Sequence, residues 1–86
     1  MKVVYSPQAI DDLRTFAVHG AADDERIFRV VLRLARGDFE GPERRLRSGQ
    51  MVRSWPVHPL RIHYRRTAGA LHVLRVYRHA RCPIAT

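Results

Sequence analysis

A pair of strand-like segments near the end of the 86-residue chain constrains its fold most strongly. The segments Leu60 to Arg66 and Leu71 to Arg78 are predicted strands, because Leu60, Ile62 and Tyr64 alternate with Arg61, His63 and Arg65, and Leu74 and Val76 alternate with Arg75 and Tyr77. Thr67-Ala68-Gly69-Ala70 lies between them and predicts a hairpin turn. We therefore expect an antiparallel hairpin with one apolar face and one cationic face.

The pairing of these two segments decides which side chains share the cationic face. A register that places Ile62 beside Leu74 or Val76 buries the apolar residues together, and a shift by one residue would mix the two sets. In this register the cationic face would hold Arg61, His63, Arg75, Tyr77 and His79, with Leu71 and Val73 on the same side.

The first half of the chain predicts a strand followed by two helices. Met1 to Tyr5 is a short strand because its residues favour extended structure. Ser6-Pro7 predicts a helix start, with serine as the capping residue and proline in the first turn. The first helix ends by Gly20, and Asp23 to Glu25 open the second.

The second predicted helix is amphipathic and ends at Gly37. Its apolar residues form an arc wide enough to contact two neighbours, which we expect to be the first helix and the sheet. The arc consists of Ile27, Val30, Val31, Leu34 and Ala35, widened by Phe28 and Leu32. A stripe of Arg26, Arg29, Arg33 and Arg36 runs opposite to it. This stripe is either a solvated helix face or a docking surface for an acidic partner.

The region after the second helix predicts a polar connection and another strand. The connection runs from Asp38 to Arg47 and contains Gly41-Pro42. Met51 to Trp55 is a strand that Pro56 should make short or confine to a sheet edge. With the closing hairpin, the order is β-α-α-β-β-β. We expect a single α+β domain over residues 1–86, with two N-terminal helices on a small, mostly antiparallel sheet.

The composition limits the kinds of partner. The chain has 16 Lys and Arg against 8 Asp and Glu, a net charge of +8, which favours nucleic acid, an acidic protein or an anionic membrane surface. The lone Cys82 excludes an internal disulfide and fits a reducing, cytoplasmic location. No stretch approaches the length of a membrane span, so we expect no membrane partner. No metal-ligand spacing is present, and no cofactor is expected.

The cationic sheet face suits several roles. Its arginines could hold a phosphate through paired hydrogen bonds. Its histidines could act as general acid and base in RNA cleavage while arginine stabilises the phosphorane. The face could instead bind acidic side chains of a protein, or it could be a solvated surface. The residue types are compatible with all four roles.

Two stretches of the sequence resemble the RelE/ParE superfamily of toxins from bacterial type II toxin–antitoxin modules. VVYSPQAIDDL, from Val3 to Leu13, is similar to the opening strand and first helix of that family. LRIHYRRTAGALHVLRVYRHARCPI, from Leu60 to Ile84, is similar to its closing hairpin. The resemblance implies two helices against an antiparallel sheet, in agreement with the residue patterns.

The resemblance also implies a partner. Superfamily members are small cytosolic toxins, and an antitoxin from the same operon neutralises them, usually through an acidic, amphipathic tail that wraps the toxin. We therefore expect a hetero-oligomer with an acidic antitoxin. This partner would account for the net charge of +8. The expected antitoxin-binding residues are Arg26, Arg29, Arg33 and Arg36.

The superfamily has two kinds of target. RelE-like members cut mRNA on the ribosome and use basic residues of the sheet to hold the phosphate. Under this alternative the protein would be an endoribonuclease, with Arg61, His63, Arg75 and His79 as catalytic residues. ParE-like members are not nucleases, and they poison DNA gyrase.

The ending VLRVYRHAR is more similar to ParE-like members, and a RelE-like terminal tyrosine is lacking. We therefore expect inhibition of DNA gyrase, with mRNA cleavage as the alternative and a non-toxic basic binding module as a third reading. The expected target-binding residues are Arg61, Arg75, Tyr77, Arg78 and Arg81.

Overall fold

Two helices lie against one face of a five-stranded sheet. A computed structural model describes the backbone of residues 1–17 and 21–78 and the side chains of residues 1–15 and 25–78. The α+β class and the two N-terminal helices on a mostly antiparallel sheet are confirmed. The elements are β1 (Lys2–Tyr5), α1 (Pro7–Ala17), α2 (Ala21–Arg36), β2 (Glu43–Arg45), β3 (Met51–Val57), β4 (Leu60–Thr67) and β5 (Ala70–Arg78).

The strands follow the order β1-β5-β4-β3-β2 across the sheet. Neighbouring strands are antiparallel except β1 and β5, which run parallel. Thr67 pairs with Ala70, so the predicted hairpin turn is confirmed. The parallel pair is allowed because all the other elements separate β1 from β5 along the chain.

The strand β2 corrects the prediction that the whole of Asp38–Arg47 is a polar connection. All three of its residues are exposed, so no apolar alternation marks it in the sequence. It forms because its backbone pairs with β3, with Glu43 opposite Arg53. Gly49 closes the turn between the two strands with a φ of 92°, a conformation that glycine adopts without strain.

The strand β3 is longer than predicted, because it continues through Pro56 to Val57. Its partner β2 reaches only as far as Arg53, so β3 is an edge strand at Pro56. A proline at an edge removes no hydrogen bond to a neighbouring strand, and the ladder to β4 continues past it. Of the two predicted alternatives, a short strand or an edge strand, the structure shows the edge strand, and the predicted end at Trp55 is wrong.

A bulge in β5 changes the predicted faces of the closing hairpin. His63 pairs with Arg75 but the next residue, Tyr64, pairs with Val73, so Leu74 is an extra residue in β5. Beyond a bulge the alternation shifts by one residue. The predicted pairing of Ile62 with Val76 lies on the other side of the bulge and is confirmed.

The shifted alternation reverses the predicted positions of three residues. Leu71 and Val73 are fully buried in the core, although they were expected on the cationic face. Leu74 is only half-buried, although it was expected in the core. The consecutive apolar residues Val73 and Leu74 interrupt the alternation at the bulge, and the prediction was wrong because it continued one alternation through them.

The core lies between the helices and the inner face of the sheet. Ser6 caps α1 as predicted, since its hydroxyl accepts a hydrogen bond from the N–H of Ala9 at 3.0 Å. In the described part of the chain, neither helix has the length and apolar character needed to span a membrane. The buried core residues are Ala9, Leu13, Ile27, Val31, Leu34, Val57, Leu60, Ile62, Tyr64, Leu71, Val73 and Val76.

The outer side of α2 departs from the predicted arc. Ile27, Val31 and Leu34 are buried as expected, but Phe28 is 43% and Leu32 is 60% exposed. Only the edge of Phe28 is covered, where Tyr5 meets it at 5.7 Å between ring centroids. Two apolar side chains one helical turn apart therefore remain at the surface beside β1.

A buried tyrosine fastens the connection between α2 and β2. The hydroxyl of Tyr64 accepts a hydrogen bond from the N–H of Gly41 at 2.7 Å and donates to Glu40 at 3.1 Å. Arg66 pairs with the same carboxylate at 2.7 Å. Burial alone would raise the pKa of Glu40, but the hydrogen bonds from Arg66 and Tyr64 lower it. Position 41 must be glycine because a Cβ there would overlap the carbonyl oxygen of Ser54.

Candidate functional site

The helix-free face of the sheet brings four of the predicted site residues together. Arg61 pairs with Tyr77 and His63 pairs with Arg75 across β4 and β5, and directly paired residues share a face. The shared face was predicted from the alternation alone. The other two candidates in the C-terminal segment, His79 and Arg81, lie outside the described residues.

The centre of this face is closed, whereas the sequence predicted an open surface. His63 is 0% exposed, as is Ser54 on the neighbouring strand. The ring of Tyr77 lies 5.0 Å from the imidazole, between centroids. Burial, together with the positive charges of Arg61 and Arg75, lowers the pKa of His63 to about 4. The imidazole is therefore neutral at physiological pH.

Arg75 is held by a carboxylate from α1. Its Nε and Nη2 donate to the two oxygens of Asp12 at 2.8 and 3.0 Å, a bidentate ion pair. The same carboxylate accepts a hydrogen bond from the backbone N–H of Val76 at 2.9 Å. The hydrogen bond to Asp12 raises the pKa of Arg75 further. The guanidinium also lies over the ring of Tyr77, 4.6 Å from its centroid.

Arg61 and Tyr77 form the outer part of the site. Nη1 of Arg61 donates to the hydroxyl of Ser54 at 2.7 Å, which directs this arginine across β3. Both Arg61 and Tyr77 are half-buried, so a partner can reach their outer atoms. Both lie beside His63 on this face, since they pair with each other one step along the ladder and the ring of Tyr77 contacts the imidazole.

Arg78 is separated from the other predicted target-binding residues. It pairs with Leu60, whose side chain is buried among the core residues, so it belongs to the helix side of the sheet. Its side chain is exposed at the end of β5. The helix-free face therefore presents Arg61, Arg75 and Tyr77 without Arg78.

A shallow cavity of about 310 Å³ adjoins the site. It lies where the start of α1, the turn between β2 and β3, and the bulged part of β5 meet. The lining residues include Gln8, Leu46, Gln50, His63, Leu74, Arg75 and Tyr77. Among its lining residues, Arg75 and Tyr77 are half-buried and His63 is buried.

The arginine stripe of α2 forms a second candidate surface. Arg26, Arg29, Arg33 and Arg36 are all exposed, as the helical spacing predicted. Each has a nearby intramolecular partner. Arg29 pairs with Glu25 at 3.0 Å, and Arg36 and Arg33 pair with Asp38 at 2.8 and 3.4 Å. Arg26 donates to the carbonyl of His58 at 2.6 Å.

The ion pairs at the end of α2 are solvent-exposed. Hydrogen bonds from Arg36 and Arg33 lower the pKa of Asp38 below its ordinary range, with Arg36 as the main cause. Exposed pairs of this kind contribute little to stability because solvent screens their charges. The arginines can therefore exchange these carboxylates for those of a partner.

No group of three or more His, Cys, Asp or Glu lies close enough to share a metal ion within the described ranges. The sequence reasoning missed Asp12, which organises the site through Arg75 and Val76. Asp12 lies one position after another aspartate on a helix surface, and nothing in the local pattern distinguishes the two. The only sequence feature that pointed toward Asp12 was its position within Val3 to Leu13, the segment that resembles the toxin superfamily.

Solved structures with a similar fold include two toxins. The YoeB dimer from Staphylococcus aureus superposes with a TM-score of 0.71 at 19% identity, covering 92% of this chain and 97% of that chain. The YoeB/ParE toxin from Agrobacterium tumefaciens gives a TM-score of 0.66 at 23% identity, with 92% and 99% covered. These likenesses establish the fold.

The sequence comparisons add the family. No curated protein matches the chain significantly. The family model described as the ParE toxin of the type II toxin–antitoxin system parDE matches residues 3–83, nearly the whole sequence. The chain belongs to the ParE toxin family of type II toxin–antitoxin systems.

Proposed function

We propose that this toxin acts on DNA gyrase by binding, in the ParE-like manner, and performs no catalysis of its own. The observation that carries this proposal is the burial of His63. A general base must reach the proton that it removes and must hold a pKa near the working pH. His63 is 0% exposed and its pKa is about 4, so it meets neither requirement.

The state of Arg75 supports the same proposal. In a phosphoryl-transfer site a free guanidinium would stabilise the charge that develops on the phosphorane. Here the bidentate ion pair with Asp12 already neutralises Arg75. Freeing it would break two charge-assisted hydrogen bonds, each worth about 1.5–3 kcal/mol. The arrangement is that of a positioned surface residue.

The proposed contact with gyrase uses the outer rim of the helix-free face. Arg61 and Tyr77 are accessible there, and Tyr and Arg are the residues that most often dominate binding energy in protein interfaces. The remaining target-binding candidates are Arg75, Arg78 and Arg81. Since Arg78 belongs to the helix side, the target contact would extend around the end of β5.

Purified toxin should inhibit supercoiling by gyrase or cause it to accumulate cleaved DNA at micromolar concentration. Tyr77→Ala combined with Arg61→Ala should weaken this inhibition by about 100-fold or more, as expected for two central contacts. Arg14→Ala is the matched control, because Arg14 is an arginine of α1 whose side chain is 79% exposed. Gyrase that remains fully active while the toxin still stops growth would refute the proposal.

The RelE-like alternative is tested in parallel by primer extension on cellular mRNA after induction. New 5′ ends that disappear with Arg61→Ala and with His63→Gln would establish an endoribonuclease and overturn the non-catalytic proposal. Harmless overexpression without an antitoxin would instead support the third reading, a non-toxic binding module.

We also propose where the antitoxin binds. Membership in the family implies an antitoxin partner. On α2 the exposed Phe28 and Leu32 adjoin the stripe of Arg26, Arg29, Arg33 and Arg36, so an apolar strip runs beside a cationic one. An acidic amphipathic segment has the complementary pattern. Its apolar side would cover Phe28 and Leu32, and its carboxylates would meet the arginines.

A further inference from the structure

The positive charges of this protein fall into two groups that differ in their intramolecular partners. Most described arginines are held by a carboxylate, a carbonyl or a hydroxyl, including all those of the α2 stripe. Among the described residues, no such contact holds four arginines of the β2–β3–β4 region. These are Arg44, Arg45 and Arg47 of the β2–β3 hairpin, and Arg65 of β4.

The acidic residues near this hairpin are already occupied. Glu43 pairs with Arg53 at 3.7 Å, and Glu40 pairs with Arg66 at 2.7 Å. The four arginines are exposed, and three of them lie on β2 and in the turn that follows it, at the edge of the sheet. An unneutralised concentration of charge on an exposed edge attracts a polyanion. From this we propose that the β2–β3 hairpin binds the phosphate backbone of double-stranded DNA.

The placement of the arginines on the hairpin favours a duplex. Arg44 pairs with Val52 and Arg45 pairs with Met51, so the two arginines lie on opposite faces of the ribbon. A two-stranded β-ribbon fits the major groove of B-DNA, whose phosphate walls would then lie on both sides of it. Arg47 lies in the turn, at the leading end of the ribbon.

A fourth arginine widens the positive surface on one side. Arg65 and Val52 line the same surface depression, and Arg44 is paired with Val52 on the outer strand. Arg44 and Arg65 are two strands apart, about 10 Å at the usual strand spacing. The helix-free side of the ribbon therefore offers two successive cationic positions to one phosphate wall.

Two other polyanions fit the hairpin less well. Single-stranded nucleic acid is held largely by stacking on aromatic side chains, and residues 43–51 contain none. An acidic amphipathic peptide needs an apolar strip beside the charges, as on α2. On the hairpin only Met51 is an exposed large apolar residue, at 45%, because Leu46 is half-buried and Val52 is buried. This DNA contact does not depend on gyrase and can be measured with the toxin alone.

The test is fluorescence anisotropy with a short labelled DNA duplex of mixed sequence, over a range of salt concentrations. The wild-type toxin should bind with a Kd of about 1–100 μM at physiological salt, the range of non-specific DNA binding. The triple variant R44Q/R45Q/R47Q should bind at least about 30-fold more weakly. The slope of its plot of log K against log salt concentration should be smaller in magnitude by about 0.9 for each of the three lost phosphate contacts.

The matched control for this test is R29Q/R33Q/R36Q, which removes the same net charge from α2. It should bind the duplex within about threefold of the wild type, because its charges lie outside the contact and act only through long-range attraction. Circular dichroism should show both triple variants folded. Equal losses for the two variants, or no wild-type binding at about 100 μM protein, would overturn the proposal.

Two further arms separate the classes of ligand. A single strand of the same sequence that binds as tightly as the duplex would overturn the groove model. If poly-L-glutamate binds the hairpin more tightly than the duplex does, the groove model is wrong and an acidic protein is the ligand. If gyrase inhibition fails while duplex binding persists with the stated dependence on Arg44, Arg45 and Arg47, only the proposed target is wrong.

Discussion

At the scale of single residues, His63 shows how a catalytic residue type can take a different role. The sequence offers an imidazole between arginines on a strand, which suits proton transfer. In the structure burial is the main cause of its lowered pKa, and the positive charges of Arg61 and Arg75 lower it further. His63 thereby becomes a neutral packing residue beneath Tyr77.

This state makes the stability of the toxin depend on pH. The pKa of His63 is about 4 in the folded protein against an ordinary value of 6.5, so the unfolded chain binds a proton first on acidification. The free energy of unfolding should therefore fall as the pH drops from 6.5 through 4, by about 3 kcal/mol from this group. Urea denaturation at several pH values measures this dependence.

His63→Gln removes the titrating group and should flatten the pH dependence over that window. His72→Gln is the control, since His72 lies at the sheet surface and contacts Thr67 at 3.2 Å. This variant should keep the slope of the wild type. If the free energy of unfolding of His63→Gln depends on pH as steeply as that of the wild type, His63 is not the cause, and the acid sensitivity comes from other groups.

At the scale of elements, α1 completes the edge of the sheet where β1 ends. The ladder between β1 and β5 stops at the pair of Tyr5 and Val73. Beyond this pair, the backbone N–H of Ser6 donates to the carbonyl of Val73 at 2.9 Å. The hydroxyl of Ser6 donates to the carbonyl of Leu74 at 2.6 Å. Asp12 then accepts from Val76. The start of a helix thus satisfies the backbone groups of β5 that lack a partner strand.

Asp12→Ala should destabilise the protein by about 2–4 kcal/mol, because it leaves Arg75 and the N–H of Val76 without their acceptor in a half-buried site. Asp11→Ala makes the same charge change at the adjacent position, where the side chain is 76% exposed. It should cost no more than about 0.5 kcal/mol. Urea midpoints compare the two variants, and similar losses would show that α1 does not depend on the Arg75 contact.

At the scale of the whole molecule, the net charge of +8 is divided between surfaces of different character. The arginines of α2 have exchangeable exposed partners and lie beside apolar side chains. Arg44, Arg45 and Arg47 of the β2–β3 hairpin have no intramolecular partner within the described residues and lie beside no apolar strip. The first surface suits an acidic protein, and the second suits a phosphate backbone. One composition thus supplies two cationic surfaces of different character.

The two parts of the α2 surface should affect antitoxin binding in different ways. R29Q/R33Q/R36Q should slow association with the antitoxin by about tenfold and weaken its salt dependence, because exposed charges mainly steer the encounter. Phe28→Ser with Leu32→Ser should raise the dissociation rate by at least about tenfold, because buried apolar contacts hold the complex. Surface plasmon resonance separates the two rates.

Ile10→Ser is the control for the apolar pair, since Ile10 is 39% exposed on α1. It should leave both rates near those of the wild type. An arginine variant that associates at the normal rate at low salt would rule out the stripe as the antitoxin surface.

The sequence by itself determined the element types and much of their order, because these follow from local periodicity. The 3.6-residue period marked α2, the alternation marked β4 and β5, and Ser6-Pro7 and Gly37 marked helix ends. It also placed Arg61, His63, Arg75 and Tyr77 on one face, since that requires only an antiparallel register between adjacent strands. Family membership followed from the same segments.

Only the tertiary structure decided which of these side chains remain available. The bulge at Leu74 and the pairing of β2 with β3 depend on backbone hydrogen bonds between distant segments of the chain. The burial of His63 and the capture of Arg75 by Asp12 join residues far apart in the chain. The positions of the charged residues along the chain follow from the sequence, but only the packing of α1 against the strands determines which groups they pair with.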